Sequence, residues 1–299
     1  MLWKLGGMKL SALAKQVWSN VGKDELTVRA AALAYYFVLA VFPAMLFVLS
    51  MLGLLATAGT HLRETLFTQL GQLLPGSASQ LVRDTLNEVT AASGAGKTAF
   101  GILGALWSAS SGVGAMIDSL DKAYEVEENR PWWKQKAISM GLTIVLAILV
   151  LSASGLALYG GAAAEAVGSH LALGTTVVSA WKIVQWPVVV GFMFLAFAIT
   201  YYFAPNIKSP EWNWVTPGSA FGLILWLAAS LAFKAYLHFF DSYSKTYGSL
   251  GATIILLLWL YITGLSILLG GIVNSIIGRA IDEVQPASPS SGIRSRNAA

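Results

Sequence analysis

The chain has no cysteine, three histidines and few charges: only 11% of its 299 residues are Asp, Glu, Lys or Arg, against about 25% in a soluble domain. The lack of cysteine excludes disulfides, thiolate catalysis and Cys-ligated metals, and leaves the compartment open. His61, His170 and His238 stand far apart, so no His-x-His-x-Asp-His or His-Glu-x-x-His cluster exists to hold zinc. Gly-x-Ser-x-Gly, the setting of an esterase-type serine, is also missing. Apolar residues, by contrast, make up 56% of the chain. No segment alternates polar and apolar over ten residues, which excludes a transmembrane β-barrel.

The apolar residues gather in six long stretches: Ala30–Leu55, Ala99–Ile117, Ala137–Tyr159, Val177–Phe203, Val215–Phe239 and Thr253–Ile277. A helix needs roughly 20 apolar residues to cross a ~30 Å hydrocarbon core. Only helices and closed barrels satisfy their backbone hydrogen bonds in lipid. The spacing therefore predicts an all-α polytopic membrane protein with a bundle of six transmembrane helices. Residues 1–29 read as a cytoplasmic amphipathic segment rather than a cleavable signal, since they lack an unbroken apolar core and carry five cations. Residues 30–277 form the membrane domain, and 278–299 a cytoplasmic tail whose Gln285–Ala299 portion is Ser/Pro-rich and reads as disordered.

Positive charge sets the orientation. Lys4, Lys9, Lys15, Lys23 and Arg29, then Lys122, Arg130, Lys134 and Lys136, then Lys208, Arg279, Arg294 and Arg296 total thirteen on one side. Arg63, Arg83, Lys97, Lys234 and Lys245 total five on the other, with Lys182 inside the fourth span. Both termini are thus expected to be cytoplasmic. Trp132, Trp133, Trp181, Trp186, Trp212 and Trp214 stand near span ends, where indole rings favour the headgroup zone. Trp3–Trp18, with apolar residues among lysines, suggests a short helix on the cytoplasmic surface. Between spans one and two, Leu62, Leu66, Leu70 and Leu73 recur at helical spacing. After Pro75-Gly76, Leu81, Val82, Leu86 and Val89 do so again, which predicts an extracytoplasmic helical hairpin.

Ser93-Gly94-Ala95-Gly96-Lys97-Thr98 ends like a phosphate-binding loop, but the glycine required five residues before the Gly-Lys pair is Ala91. Polarity inside the spans is the remaining lead. Thr263, Ser266, Gly270 and Asn274 share one face of span six, and Gly101, Gly104, Ser108 and Gly112 one face of span two. Small residues let helix backbones approach closely, yet an Asn is costly to leave facing lipid. Close packing and a polar internal path both fit span six. On the path reading, Thr263, Ser266 and Asn274 line it, with Tyr35 and Ser108 as neighbours across the bundle. Asp118 and Asp121, three apart after span two, fit either a solvated helix end or a cytoplasmic gate. Pro43 removes a donor inside span one and should kink that helix.

Several segments together resemble the YihY/BrkB family of bacterial inner-membrane proteins, once labelled ribonuclease BN. They are Ala30-Ala-Ala-Leu-Ala-Tyr-Tyr-Phe37 running to Phe42-Pro43, Trp107-Ser-Ala-Ser-Ser-Gly112, Leu120-Asp-Lys-Ala-Tyr124, Tyr201-Tyr-Phe-Ala-Pro-Asn206, Val215-Thr-Pro-Gly218, and Tyr247-Gly-Ser-Leu-Gly251 into Trp259-Leu-Tyr261. The resemblance implies six spans with cytoplasmic termini in the inner membrane, and envelope lipid handling or export. One departure stands out. Relatives often read Gly-Ala-Glu-x-Asn in the last span, where this chain has Gly270-Gly271-Ile272-Val273-Asn274. A transporter or flippase-like protein for an envelope lipid or amphipathic solute is the leading expectation, with a non-transporting assembly scaffold as the alternative. No catalytic residue, cofactor, metal or nucleic-acid partner is expected. Membrane lipids are the expected partners, and a homo-oligomer remains open.

Overall fold

The computed structural model describes residues 7–23, 25–56, 95–170, 175–207, 216–239 and 242–284. Seven helices account for nearly all of them: α1 (Leu10–Lys23), α2 (Leu26–Ala56), α3 (Ala95–Ala123), α4 (Trp132–His170), α5 (Thr175–Phe203), α6 (Pro217–Phe239) and α7 (Ser242–Val284). No strand occurs among the described residues. The predicted hairpin at 62–89 and the polar tail at 285–299 lie outside them.

Among the described residues, four helices are long and apolar enough to cross a membrane: Trp132–Gly168, Thr176–Phe203, Pro217–Tyr236 and Thr253–Ile281. These correspond to the third to sixth expected spans. Helix α2 contributes a shorter apolar run, Leu26–Val41. Helix α3 holds the second expected span and outruns it at both ends, but Gly101, Gly104, Ser108, Ser110 and Ser111 dilute its apolar character. Helix α4 continues eleven residues past the expected end at Tyr159. The Ala-rich Gly161–His170 segment favours helix, so most of the expected third connection is helical. There Lys182 of α5 meets Glu165 of α4 at 2.6 Å, which gives the span-embedded lysine an ion-pair partner.

Contacts are broadest between α2 and α3, α4 and α5, and α6 and α7, while α7 also lies against α1, α2 and α3. The core sits where these meet: Leu33 of α2, Ile117 and Leu120 of α3, and Leu268, Ile272 and Ile277 of α7 are fully buried. Helix α1 docks on this core through Leu13, Val17 and Val21 and turns Leu10 and Trp18 outward, the latter 81% exposed.

Close approach is bought with glycine at two crossings. A Cβ on Gly112 would stand 3.0 Å from that of Ala40, so α3 packs directly on α2. A Cβ on Gly218 of α6 would collide with the Gly270 carbonyl and the Asn274 side chain of α7. Gly218→Ala is therefore expected to lower stability by about 1–3 kcal/mol, as overpacking does. An unchanged thermal midpoint in detergent would contradict so tight a crossing.

Candidate functional site at one end of the bundle

The start of α6 is built by local sequence. Thr216 caps the helix: its Oγ1 accepts from the Ser219 amide at 3.1 Å, and Ser219 Oγ accepts from the Thr216 amide at 2.9 Å. This is a reciprocal capping arrangement, with Pro217 at the first helical position, where its missing N–H is harmless. Helix ends leave further amides without intrahelical partners. That of Gly218 donates to Asn274 Oδ1 at 2.8 Å, while Asn274 Nδ2 donates to Thr216 Oγ1 at 2.9 Å. Tyr124, just past α3, has the Asn274 side chain beside its hydroxyl. Tyr201 of α5 is buried and donates to the Ile267 carbonyl at 2.8 Å. Its hydroxyl occupies space that a side chain at Gly270 would need. One asparagine and one tyrosine thus tie α5 and α6 to α7.

Beside this junction lies a charge cluster. Helix α3 ends with Glu125 in the left-handed region, φ 55°. The Val126 amide returns to the Asp121 carbonyl and the Glu125 amide to that of Lys122, a Schellman ending without its usual glycine. Arg279 of α7 pairs with Glu125. The chain then brings Glu128 and Arg130 back over α3 and α5. Arg130 holds Glu128 at 2.5 Å and donates to the Ala204 carbonyl at 2.9 Å, with the Asp121 carboxylate 3.8 Å away. Asp121 Oδ1 accepts from the Asn206 amide at 2.7 Å, whereas Oδ2 is buried without a hydrogen bond. Burial pushes the Asp121 carboxyl up to about 6, reinforced by Glu128 and opposed by the Asn206 amide and Arg130. Glu128 is held below its ordinary value: burial would raise it, but its hydrogen bonds from Arg130 outweigh that.

Between α2, α3 and α4 at this same end opens a pocket of about 370 Å³, inside the range of small-molecule sites. Arg29 and Tyr36 of α2, Ser111 and Asp118 of α3, and Trp132 and Lys136 of α4 line it, among others. Lys136 Nζ donates to the Trp107 carbonyl at 2.8 Å and sits 4.5 Å from the centre of that indole. Gln135 Nε2 donates to Asp118 Oδ1 at 2.6 Å. Ser110, Ser119 and Ser139 are buried in the walls and donate to carbonyls of their own helices.

The sequence profile of the family described as Virulence factor BrkB matches residues 17–293. This chain belongs to the BrkB family. It is 33% identical over 263 residues to the ribonuclease-like protein YfkH of Bacillus subtilis, covering 88% of this chain and 94% of that one. A UPF0761 membrane protein of Ralstonia nicotianae, RSc1559, is 26% identical over 278 residues, covering 90% of this chain and 59% of the relative. A UPF0761 membrane protein of Coxiella burnetii is 31% identical over 132 residues, 38% of this chain and 48% of that one. No solved structure matches.

Three of the segments that carried the BrkB resemblance, Leu120–Tyr124, Tyr201–Asn206 and Thr216–Gly218, meet at this end of the bundle against Gly270–Asn274, the stretch that departs from the family's pattern. The span-six residues take up hydrogen-bonded places between helices. Thr263 Oγ1 accepts from Trp226 Nε1 at 3.0 Å and donates to the Trp259 carbonyl. Ser266 is buried and donates to the Ile262 carbonyl. Tyr35 is 58% exposed, and Ser108 is exposed on α3, so these two do not join that face. The gate pair divides: Asp118 lines the pocket while Asp121 is buried in the charge cluster. Ile272, the point of departure in span six, is fully buried in the apolar core.

Arg130, Glu128, Tyr201, Arg29 and Lys136 were not foreseen as site residues. A signal existed for Arg130, since a cation directly before Pro131 and a span start is a natural place for a helix-end contact. Lys136 and Arg29 entered only the orientation count. That they face one pocket follows from the α2–α3–α4 packing.

Proposed function

We propose that this chain is a transporter or flippase-like protein of the bacterial inner membrane that moves an envelope lipid or similar amphipathic solute, without catalysing a covalent reaction. Six helices, α2 to α7, cross the bilayer in this reading, and the end carrying Arg29, Lys136, Arg130 and Arg279 faces the cytoplasm. The positive-charge excess on that side supports the orientation. The 370 Å³ pocket carries the reading: its walls mix charged and hydroxyl groups with apolar surface, and Tyr36 and Trp132, the latter 67% exposed, are among them. Such a site lets a headgroup leave water while its acyl chains stay in the bilayer. Thr263, Ser266 and Asn274 belong in this view to the rigid wall beside the path, with Tyr35 on the lipid side of α2 and Asp118 at the mouth.

The test uses purified protein in liposomes with phosphatidylethanolamine or phosphatidylglycerol bearing an acyl-chain fluorophore. Transbilayer movement should be faster than in protein-free vesicles, with or without an imposed proton gradient. Rates equal to those of empty vesicles under every driving force would overturn the proposal.

A further inference from the structure

The pocket between α2, α3 and α4 carries both signs of charge. Lys136 and Arg29 are on its wall with Asp118 and the hydroxyl of Ser111. Lys136 is fixed by one hydrogen bond to the Trp107 carbonyl and by the indole face beneath it. At least one of its three ammonium protons therefore remains to bind a ligand. Trp107 and Trp132 lie 5.7 Å apart, centre to centre, and both are exposed, Trp132 the more so. Asp118 keeps one oxygen engaged by Gln135, and its second is left to accept from a cation.

A soluble dianion would meet the Asp118 carboxylate and be opposed by it. A purely apolar ligand would leave the Lys136 ammonium desolvated. We infer that the pocket binds the zwitterionic headgroup of a phospholipid, an aminoalkyl phosphate, with its phosphate on Lys136 and Arg29 and its ammonium on Asp118. This deepens the transport proposal by naming the substrate class, and it rests on the reading that the chain handles lipid. Lys and Arg give charge-assisted hydrogen bonds to phosphate, and the Trp107–Trp132 pair supplies the apolar ledge for the glycerol region.

The experiment is native mass spectrometry of the full-length protein released from phosphatidylcholine vesicles doped with equal phosphatidylethanolamine and phosphatidylglycerol, scored by the lipid retained. The unmodified protein should retain phosphatidylethanolamine over phosphatidylglycerol by about tenfold, the effect of one well-placed charged contact. Lys136→Gln should lose retention of both, and Lys136→Arg should keep it. Asp118→Asn, at an exposed position that does not threaten folding, should bring the two lipids to parity. Equal retention of both lipids by the unmodified protein, or an unaltered preference in Asp118→Asn, would overturn the inference. So would displacement of lipid by equimolar O-phosphoethanolamine, which would assign the pocket to a soluble phosphate ester. Retention in the expected pattern without transbilayer movement would instead sink the transport proposal and leave the pocket assignment standing. Movement without headgroup preference would do the reverse.

Discussion

Replacing Arg130 with alanine is expected to lower stability by about 3–5 kcal/mol, the usual effect of removing one partner from a buried charge pair. Its side chain is 9% exposed and that of Asp121 is 4% exposed, so solvent does little to replace the lost contact. Three groups lose the guanidinium at once: the Glu128 carboxylate and the Ala204 carbonyl that it bonds, and the Asp121 carboxylate that it faces at 3.8 Å. Because Ala204 and Asn206 follow α5 while Asp121 ends α3, the ends of those two helices should separate. Thermal unfolding of the detergent-solubilised protein measures the loss. A midpoint within a degree of the unmodified protein would show the cluster to be ornamental.

The same cluster carries a pH dependence with a definite sign. The Asp121 carboxyl titrates near 6 in the folded chain, against about 3.9 when unfolded. Its contribution to stability is thus fully present below about pH 4 and lost as pH rises through about 6. Glu128, held low by Arg130, acts oppositely: its contribution is present at neutral pH and lost only in acid, below its unfolded range. From pH 7 to 5 the Asp121 effect dominates, so mild acidification should stabilise the protein. Asp121→Asn keeps an acceptor for the Asn206 amide and removes the charge. It should flatten the profile between pH 4 and 7, whereas a slope unchanged from the original would assign it to another group.

Asn274→Leu is the second large effect. It strips the Gly218 amide and the Thr216 hydroxyl of a shared partner and leaves polar groups unsatisfied at a packed crossing. The expected loss is about 2–4 kcal/mol, several times the net value of a single satisfied hydrogen bond. Asn274→Asp should be far milder. A carboxylate still accepts from the Gly218 amide and stands favourably at a helix N-terminus. Unfolding midpoints of the two variants, with lipid movement in liposomes alongside, separate a clamp from a path-lining group. A fully stable Asn274→Leu protein with no transport would return Asn274 to the path itself.

Much of the architecture was legible in the sequence because lipid is an uncompromising solvent. Long apolar runs from Ala137 onward admit one solution, and the helices α4 to α7 arise there. Helix ends were harder to read. The Ala-rich stretch after Tyr159 continues α4 with no apolar signal to announce it, and Ser242–Tyr247 begins α7 well before its lipid-compatible run. The span-six stripe was visible as a face of polar and small residues. Its partners were not, since Asn274 acts on residues 56 and 58 positions away.

Composition and hydropathy by themselves determined an all-helical membrane protein and the two unequal sides of charge. Which residues meet was decided only by packing. Spacing along one helix fixes a face but not what opposes it. Gly218 and Gly270 let α6 and α7 touch, the Tyr201 hydroxyl fills the space Gly270 leaves, and α2, α3 and α4 close around Arg29, Lys136 and Asp118 to make a pocket. Those contacts join side chains up to a hundred residues apart, through free energies that no local pattern records.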